Sequence, residues 1–339
     1  SYRDERGVLV HRVWHESILS HLQLFKHIIM ASPDVIHVRY FYTLFKIPLF
    51  LFLIKLLRKK MIVELPDVSS LATIDKEYGE LFFLPVKNPL ILKLVLLALN
   101  KAICMLADKI VVHTKIQRRV LEMEYRVPPK KVIVIPIAYK VRPLRKDEAR
   151  AKLGIDQHSK VVLFFGYLAP YKGIDYLLRA FAHLTRLLPN AMLIVAGGNH
   201  PRLRDDYRSR LVKLADQLGV RDKVVFTGFV PDDCVPLYFS AADVIVLPYI
   251  YTSGASGPLA LALQYSRPII ATDLPLFKEA DSNVVIVPRR DEVTLAEAMY
   301  NLLTGRQEGY CHVDKSRRRK HDIERLAEIL AGEYNEVLH

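Results

Sequence analysis

The sequence predicts an α/β fold built from two doubly wound domains that face each other across a cleft. Short apolar segments, of the kind buried in parallel sheets, alternate with amphipathic helical patterns along most of the chain. The alternation stops between residues 138 and 157, where the sequence turns polar and charged, and then starts again. At 339 residues the chain is also too long for a single ordinary core.

In the first half of the chain, strand-like segments alternate with helical ones. The predicted strands span 7–14, 34–38, 61–65, 109–114 and 131–136. The predicted helices span 16–31, 44–58, 89–107 and 115–124. Because the strands are apolar almost throughout, they favour a parallel sheet with both faces covered.

The second half repeats the pattern. Its predicted strands span 161–165, 191–198, 224–230, 244–249, 268–273 and 283–288, and its predicted helices span 174–187, 203–218, 232–241, 258–265 and 275–280. A last amphipathic pattern over 321–338 predicts a terminal helix. We therefore expect an N-terminal domain (1–141), a C-terminal domain (142–320) and a separate helix (321–339). Since such folds bind ligands at the carboxyl ends of their strands, the cleft between the domains is where a site is expected.

Basic residues outnumber acidic ones, with 49 Lys and Arg against 36 Asp and Glu and a formal net charge of +13. This surplus favours an anionic partner, whether a nucleic acid, a membrane surface or a phosphorylated substrate. The charge is spread over both halves without a known basic-aromatic module, so no nucleic-acid partner is expected.

Cysteine usage indicates a reducing, cytoplasmic compartment. Cys104, Cys234 and Cys311 are far apart and odd in number, which favours neither a disulfide framework nor a zinc site. His, Asp and Glu show no metal-ligand spacing, and we expect no metal.

Two segments bear on membrane contact. The pattern over 88–109 predicts an amphipathic helix on which Lys93, Asn100 and Lys101 share one face. The helix either packs on the sheet or lies on a membrane, and both hold if only its basic face meets lipid. The basic run at 316–321 could hold an acidic lipid or RNA, or it could be a solvated loop.

The stretch FFGYLAPYKGIDYLLRAF (164–181) places a strand, a turn and a helix in close succession. Lys172 and Gly173 stand where the helix begins, and amides at a helix N-terminus attract anions. A solvated lysine beside an ordinary turn is the alternative. A second glycine-rich turn, TSGASGPLALAL (252–263), precedes another helix at the same predicted end of the sheet, and this favours the anion site.

These motifs resemble the nucleotide-sugar-binding domain of GT-B glycosyltransferases of the GT4 class. The resemblance rests on GYLAPYKG (166–173), AGG (196–198), GFVPDDCVPLYFSAADVIVLPY (228–249) and SGPLALALQYSRPIIAT (256–272). It extends more weakly to the first half, through PDVIHVRY, ADKIVVHT and VPPKKVIVIP. It implies two Rossmann-like domains, with the terminal helix crossing back to the first.

The resemblance also implies roles for the residues of the two turns. Lys172 would neutralise the donor diphosphate, on which charge builds up in the transition state. Gly166 would shape the loop beside it, while Ser256 and Gly257 would offer backbone amides to the phosphate. Because a lysine and a helix dipole can replace a divalent cation, no obligatory cofactor is expected beyond the nucleotide-diphosphate sugar.

The nucleobase would lie against Phe229 and Val230. Tyr167, beside the donor, stands where the family usually has an arginine. Ser253 and Leu261 stand where it usually has a pair of glutamates. The chain therefore looks like a variant in which Ser-Gly replaces that pattern.

The N-terminal half departs from the family as well. Pro66 occupies the place of an active-site histidine and precedes Asp67. Asp67 is a catalytic or acceptor-facing candidate, although its position favours a helix or turn cap. The family's first βαβ unit is absent upstream of residue 7, so the chain looks shortened at its N-terminus. Glu279 resembles a family glutamate near the donor. His113 ends a strand at the cleft, whereas His37 and His11 are expected in the core.

The function implied is that of a retaining glycosyltransferase, a hexosyltransferase in class, which moves a sugar from a nucleotide diphosphate to a lipid-linked or polysaccharide acceptor. Its basic helices favour peripheral attachment at the cytoplasmic face of the inner membrane. The alternative is a degenerate subunit that binds nucleotide sugar or a partner chain without turnover. A nicotinamide-dependent oxidoreductase is disfavoured because no GxGxxG follows a strand.

Overall fold

The computed structural model describes residues 2–3, 9–10, 18–40, 49–75, 77–78, 88–201, 206–252, 254–265, 267–280, 284–306 and 323–338. His11, Ser253, Cys311 and the basic run at 316–321 lie outside these ranges. Strands β1 (Tyr2–Arg3) and β2 (Leu9–Val10) pair antiparallel, and β2 is the described part of the strand predicted at 7–14.

The N-terminal domain is built on a four-stranded parallel sheet in the order β3-β4-β5-β6. These strands are β3 (Val35–Arg39), β4 (Lys60–Glu64), β5 (Lys109–Val112) and β6 (Val132–Val134). One face carries helices α1 (Ile18–Ala31), α2 (Leu49–Leu56), α3 (Pro89–Leu106) and α4 (Lys115–Met123). The other face is covered by the terminal helix, α12 (Ile323–Leu338), through Leu330, Tyr334 and Val337.

The C-terminal domain is built on a six-stranded sheet whose strands all run parallel. Its strands are β7 (Lys160–Phe165), β8 (Ala191–Ala196), β9 (Val224–Gly228), β10 (Val244–Leu247), β11 (Ile269–Thr272) and β12 (Val284–Val287). Its helices are α5 (Lys146–Leu153), α6 (Ile174–Leu187), α7 (Tyr207–Gln217), α8 (Val235–Ala241), α9 (Gly257–Ala262), α10 (Pro275–Glu279) and α11 (Glu292–Thr304).

The strand order of this sheet, β12-β11-β10-β7-β8-β9, makes it doubly wound. The chain builds outward from β7 in one direction and then returns to start again at β10 on its other side. The loops that leave β7 and β10 therefore diverge and open a crevice, which is where doubly wound sheets bind ligands. The predicted α/β class with two parallel-sheet domains is confirmed.

Helix α5 is an element that the sequence analysis did not predict. It lies in the polar stretch at the domain boundary and is anchored by Arg150, which is almost fully buried. The guanidinium donates to the carbonyl oxygens of Ala241 (3.1 Å) and Gln157 (2.7 Å) and to the carboxylate of Asp243 (2.7 Å). These polar contacts replace the apolar stripe by which such helices are usually recognised.

Candidate functional site

Lys172 lies at the switch point of the C-terminal sheet. It ends a short 3-10 turn (Pro170–Lys172), and the next residue, Gly173, is the N-cap of α6. Gly173 has φ +65°, and a Cβ there would lie 2.0 Å from the carbonyl oxygen of Pro248, just past β10. Only glycine therefore allows the two diverging loops to touch, and this contact fixes Lys172 at the mouth of the crevice.

The Lys172 side chain is buried, and its surroundings are aromatic. Its ammonium lies 3.7 Å from the ring centroid of Tyr249 and 5.1 Å from that of Tyr171. Among the residues that the structure describes, no carboxylate is within ion-pair distance of it. Burial lowers the pKa of Lys172 to about 7, and the charge of Asp67 opposes this only in part. A buried cation without a carboxylate partner is the arrangement that an anionic ligand would complete.

Tyr249 connects the two predicted phosphate turns. Its hydroxyl lies 3.3 Å from the Ser256 hydroxyl, while its ring carries the Lys172 ammonium. Burial raises the pKa of the Tyr249 hydroxyl, so the ring stays neutral at physiological pH. Tyr249 was predicted only as the last residue of a strand, because no local sequence pattern reveals which way its ring points.

Ser256 and Gly257 start α9 as predicted. The Ser256 hydroxyl accepts from the Leu259 amide (3.2 Å) and so caps the helix. The amide of Gly257 is in the first turn, where helix geometry provides no intrahelical acceptor. A Cβ at Gly257 would lie 2.8 Å from the hydroxyl oxygen of Tyr139, which reaches this turn from the chain between the two domains.

The loop that follows β7 packs closely against the loop that follows β8. Gly166 donates its amide to Ala196 (2.9 Å), and a Cβ at Gly197 would lie 1.9 Å from the Gly166 carbonyl oxygen. The Tyr167 ring is half-exposed and stands edge-on to His200, with 5.6 Å between the ring centroids. The loops after β7 and β8 are thus packed directly against each other.

Phe229 and Val230 follow β9 on the same edge of the sheet. The Phe229 ring is 72% exposed, and its backbone lies against Gly198. Val230 is buried and belongs to the core. The exposed ring is a surface on which a planar base can stack, whereas the buried Val230 offers no such surface.

Two of the amides in the first turn of α6 are already engaged. The carboxylate of Asp175 accepts from its own amide and from that of Tyr176. The expected attraction between these amides and an anion is therefore met inside the protein, and Lys172 supplies the available positive charge at this corner.

Asp67 brings the N-terminal domain up to this crevice. It forms an isolated antiparallel bridge with Gly254, and Ala255 donates its amide to the carbonyl oxygen of Pro66 (3.3 Å). A Cβ at Gly254 would lie 2.2 Å from that same oxygen. The Asp67 charge is close enough to Lys172 to raise its pKa, so the two candidates from different domains share one site.

Glu279 joins the domains at a second point. One carboxylate oxygen accepts from the Lys115 amide (2.7 Å) and the other from the Ile116 amide (2.8 Å), which are the first two amides of α4. In this structure the predicted donor-side glutamate therefore caps a helix of the opposite domain.

His113 and His37 flank Glu64 at the carboxyl end of β4. His113 Nε2 lies 3.0 Å from one carboxylate oxygen of Glu64, and His37 Nε2 lies 3.6 Å from the other. His37 Nδ1 is 2.6 Å from the Tyr334 hydroxyl of α12. His37 is thus only partly buried, contrary to its expected place in the core, and it ties the terminal helix to the sheet.

Between the domains lies a cleft of about 620 Å³ whose wall is part polar and part apolar. Ser69, Ser70 and Asp75 line its N-terminal side, while Tyr251 and Arg289 line the other. Hydroxyls, carboxylates and a guanidinium are suited to a polyhydroxylated ligand. Within the described ranges, no group of three or more His, Cys, Asp or Glu side chains could hold a metal ion.

Doubly wound α/β proteins bind their ligands at the switch point of the sheet, and in this chain that point carries the buried Lys172. The family model of the glycosyl transferases group 1 matches residues 145–320, and the chain belongs to this family. An uncharacterised glycosyltransferase of Methanocaldococcus jannaschii is 33% identical over 148 residues, covering 42% of this chain and 36% of the relative. The matches to other curated relatives span between 30% and 47% of the length of those proteins.

Solved structures share the architecture. Sucrose-phosphate synthase from Thermosynechococcus elongatus superposes with a TM-score of 0.72 at 22% identity, over 94% of this chain and 78% of that one. Anabaena HepE, solved in complex with UDP, gives a TM-score of 0.73 at 15% identity, over 94% and 82% of the two chains. These neighbours confirm the GT-B fold.

Proposed function

We propose that this chain is a glycosyltransferase that takes a sugar from a nucleoside-diphosphate donor. The observation that carries the proposal is the ammonium of Lys172, which is buried at the switch point between the loops of β7 and β10 and has no carboxylate within ion-pair distance among the described residues. Family membership and the complex of the structural neighbour HepE with UDP support it.

The diphosphate is proposed to bind beside Lys172, with the Gly257 amide on its other side. The nucleobase then stacks on Phe229, at the edge formed by the loops that follow β8 and β9. Binding raises the pKa of Lys172 above its value of about 7 in the free protein, because the ligand supplies the missing negative charge.

In the transition state the bond from the sugar to the diphosphate breaks, and negative charge accumulates on the leaving phosphate. The Lys172 ammonium stabilises that charge strongly, since the buried site has a low effective dielectric constant. We propose retention of the anomeric configuration, with a donor phosphate oxygen receiving the proton of the attacking hydroxyl. Asp67, on the facing domain, is proposed to orient the acceptor.

The acceptor is proposed to enter the cleft between the domains. Ser69, Ser70 and Asp75 offer hydroxyl and carboxylate groups to a saccharide or to the head group of a lipid-linked one. Peripheral attachment at the cytoplasmic membrane face remains part of the proposal.

Calorimetric titration with UDP, GDP and ADP tests the donor site. Lys172→Met keeps the side-chain volume but removes the charge, and Lys213→Met, on the exposed surface of α7, is the matched control. One nucleotide should bind the wild type and the control equally and bind Lys172→Met at least tenfold more weakly, which is about 1.4 kcal/mol. Equal binding of the nucleotide to all three proteins would show that Lys172 does not contribute to nucleotide binding.

A second candidate is a subunit that binds nucleotide sugar without turnover. It is favoured by Leu261, an apolar residue where the family usually carries a glutamate, and by Pro66 in place of the active-site histidine. Donor hydrolysis measured without acceptor separates the two functions, because slow release of free sugar requires a working reaction centre.

A further inference from the structure

The outer surface of the N-terminal helical layer is apolar. Helices α1, α2 and α3 lie side by side, with α2 in contact with both neighbours. Their inner sides enter the core through residues such as Leu51, Ile54 and Ile103. Their outer sides expose Leu22, Ile29, Met30, Phe52, Leu56, Leu90, Ile91, Leu94, Val95 and Met105, which we call the apolar helix face.

This surface differs from the rest of the described molecule. In the C-terminal domain, the exposed large apolar residues, such as Leu187 and Val293, belong to separate elements. Contiguous apolar patches rimmed by polar residues mark interaction sites rather than ordinary surface.

Charge identifies the kind of partner. The sequences of α1, α2 and α3 contain no Asp or Glu, whereas Lys26, Lys93 and Lys101 lie among the apolar side chains. Arg58 and Lys60 follow directly after α2. Lys55 of α2 forms an ion pair with Asp108, which follows α3. The exposed apolar side chains lie among cations, and this combination complements a bilayer that contains anionic lipid.

The arrangement of α3 favours contact with the bilayer surface over crossing it. By length and composition alone, α3 is the one helix in the described ranges that could span a membrane. However, Leu92, Ile103 and Cys104 on its inner side belong to the domain, and Asn100 is buried and hydrogen-bonded to Tyr125. The helix therefore stays with its domain and offers lipid only its outer side.

The apolar helix face also adjoins the cleft. Leu92, in the first turn of α3, packs on Ile74 and Tyr78, and Tyr251 of the opposite domain joins this cluster. Tyr251 also lines the cleft together with Asp75. The exposed Leu90 and Ile91 thus lie within one helical turn of a residue that supports the cleft wall.

We infer that the apolar helix face docks on an anionic lipid bilayer and that the acceptor is an amphiphile whose polar head enters the adjoining cleft. The second clause rests on the proposed function. The first rests only on the surface itself.

Sedimentation with vesicles tests the docking. One set contains phosphatidylcholine alone, and the other contains equal parts of phosphatidylcholine and phosphatidylglycerol. The wild type should bind the anionic vesicles, and Leu94→Glu combined with Val95→Glu should weaken binding at least tenfold, because two charges must then leave water. Leu187→Glu combined with Val293→Glu adds the same charges to the other domain and should bind like the wild type.

Lys93→Glu combined with Lys101→Glu leaves the apolar residues in place and gives a second measurement if the first variant fails to fold. It should lose affinity for anionic vesicles selectively. No binding by the wild type, or equal binding by the first variant and its control, overturns the inference. So does a lipid-free dimer that Leu94→Glu with Val95→Glu dissociates, because a second copy would then cover the face.

Nucleotide titration on the same samples keeps the two proposals distinct. Nucleotide binding without vesicle binding refutes the docking alone, whereas vesicle binding without nucleotide binding refutes only the donor site.

Discussion

Replacing Lys172 with methionine should make the free protein more stable. Lysine in water has a pKa of 10.5 and Lys172 one of about 7, and at about 1.36 kcal/mol per pH unit this difference makes burial of the charged form cost about 5 kcal/mol. This pKa already includes the favourable contact with the ring of Tyr249, 3.7 Å from the ammonium. We therefore expect Lys172→Met to raise the free energy of unfolding of the C-terminal domain by several kcal/mol at pH 7.

The pH dependence provides an independent check. Between pH 7 and 10.5 the unfolded chain holds a proton that the folded chain has lost, so wild-type stability rises with pH in this window. The gain in the free energy of unfolding from Lys172→Met should therefore be largest below pH 7 and should decrease as the pH rises. Denaturant unfolding at pH 7 and at about pH 9, with Lys213→Met as control, measures both effects. If Lys172→Met unfolds more easily than the wild type at pH 7, the reasoning from burial is wrong.

Two further substitutions test the contacts around the crevice. Gly173→Ala should destabilise the C-terminal domain by several kcal/mol in denaturant unfolding, because its Cβ would collide with the Pro248 carbonyl oxygen. Gly154→Ala, at φ +67° with open space around it, should cost only the left-handed strain of about 1 kcal/mol; equal losses would contradict the collision. Glu279→Gln should speed hydrogen exchange at the first two amides of α4, since the cap loses its charge. The exposed Glu297→Gln should not, and unchanged exchange in both would show that the cap is not formed in solution.

Much of the C-terminal site could be predicted from the sequence. Lys172 and Ser256 were expected at the same end of one sheet, and the structure joins them through Tyr249. Tyr249 itself could not be predicted, because its role depends on a contact between loops far apart in sequence. The cap formed by Glu279 was missed for the same reason, since its partners belong to the other domain.

Helix α3 shows the limit of periodicity. The spacing of Lys93, Asn100 and Lys101 led us to expect a polar face toward solvent or lipid. In the structure Asn100 is buried, while Leu94 and Val95 are exposed. Apolar residues surround this helix on nearly every side, so its pattern cannot determine which side enters the core. Only the buried partner of Asn100, Tyr125, settles the orientation.

The Lys172 ammonium at the switch point also has a kinetic consequence under the proposed function. After transfer, the diphosphate that Lys172 holds stays on the released nucleotide, so the product keeps the same electrostatic partner as the donor. The bridge between Asp67 and Gly254 and the cap from Glu279 also join the two domains beside the proposed donor site. Under the proposed function we therefore expect departure of the spent nucleotide, rather than sugar transfer itself, to limit the rate of turnover.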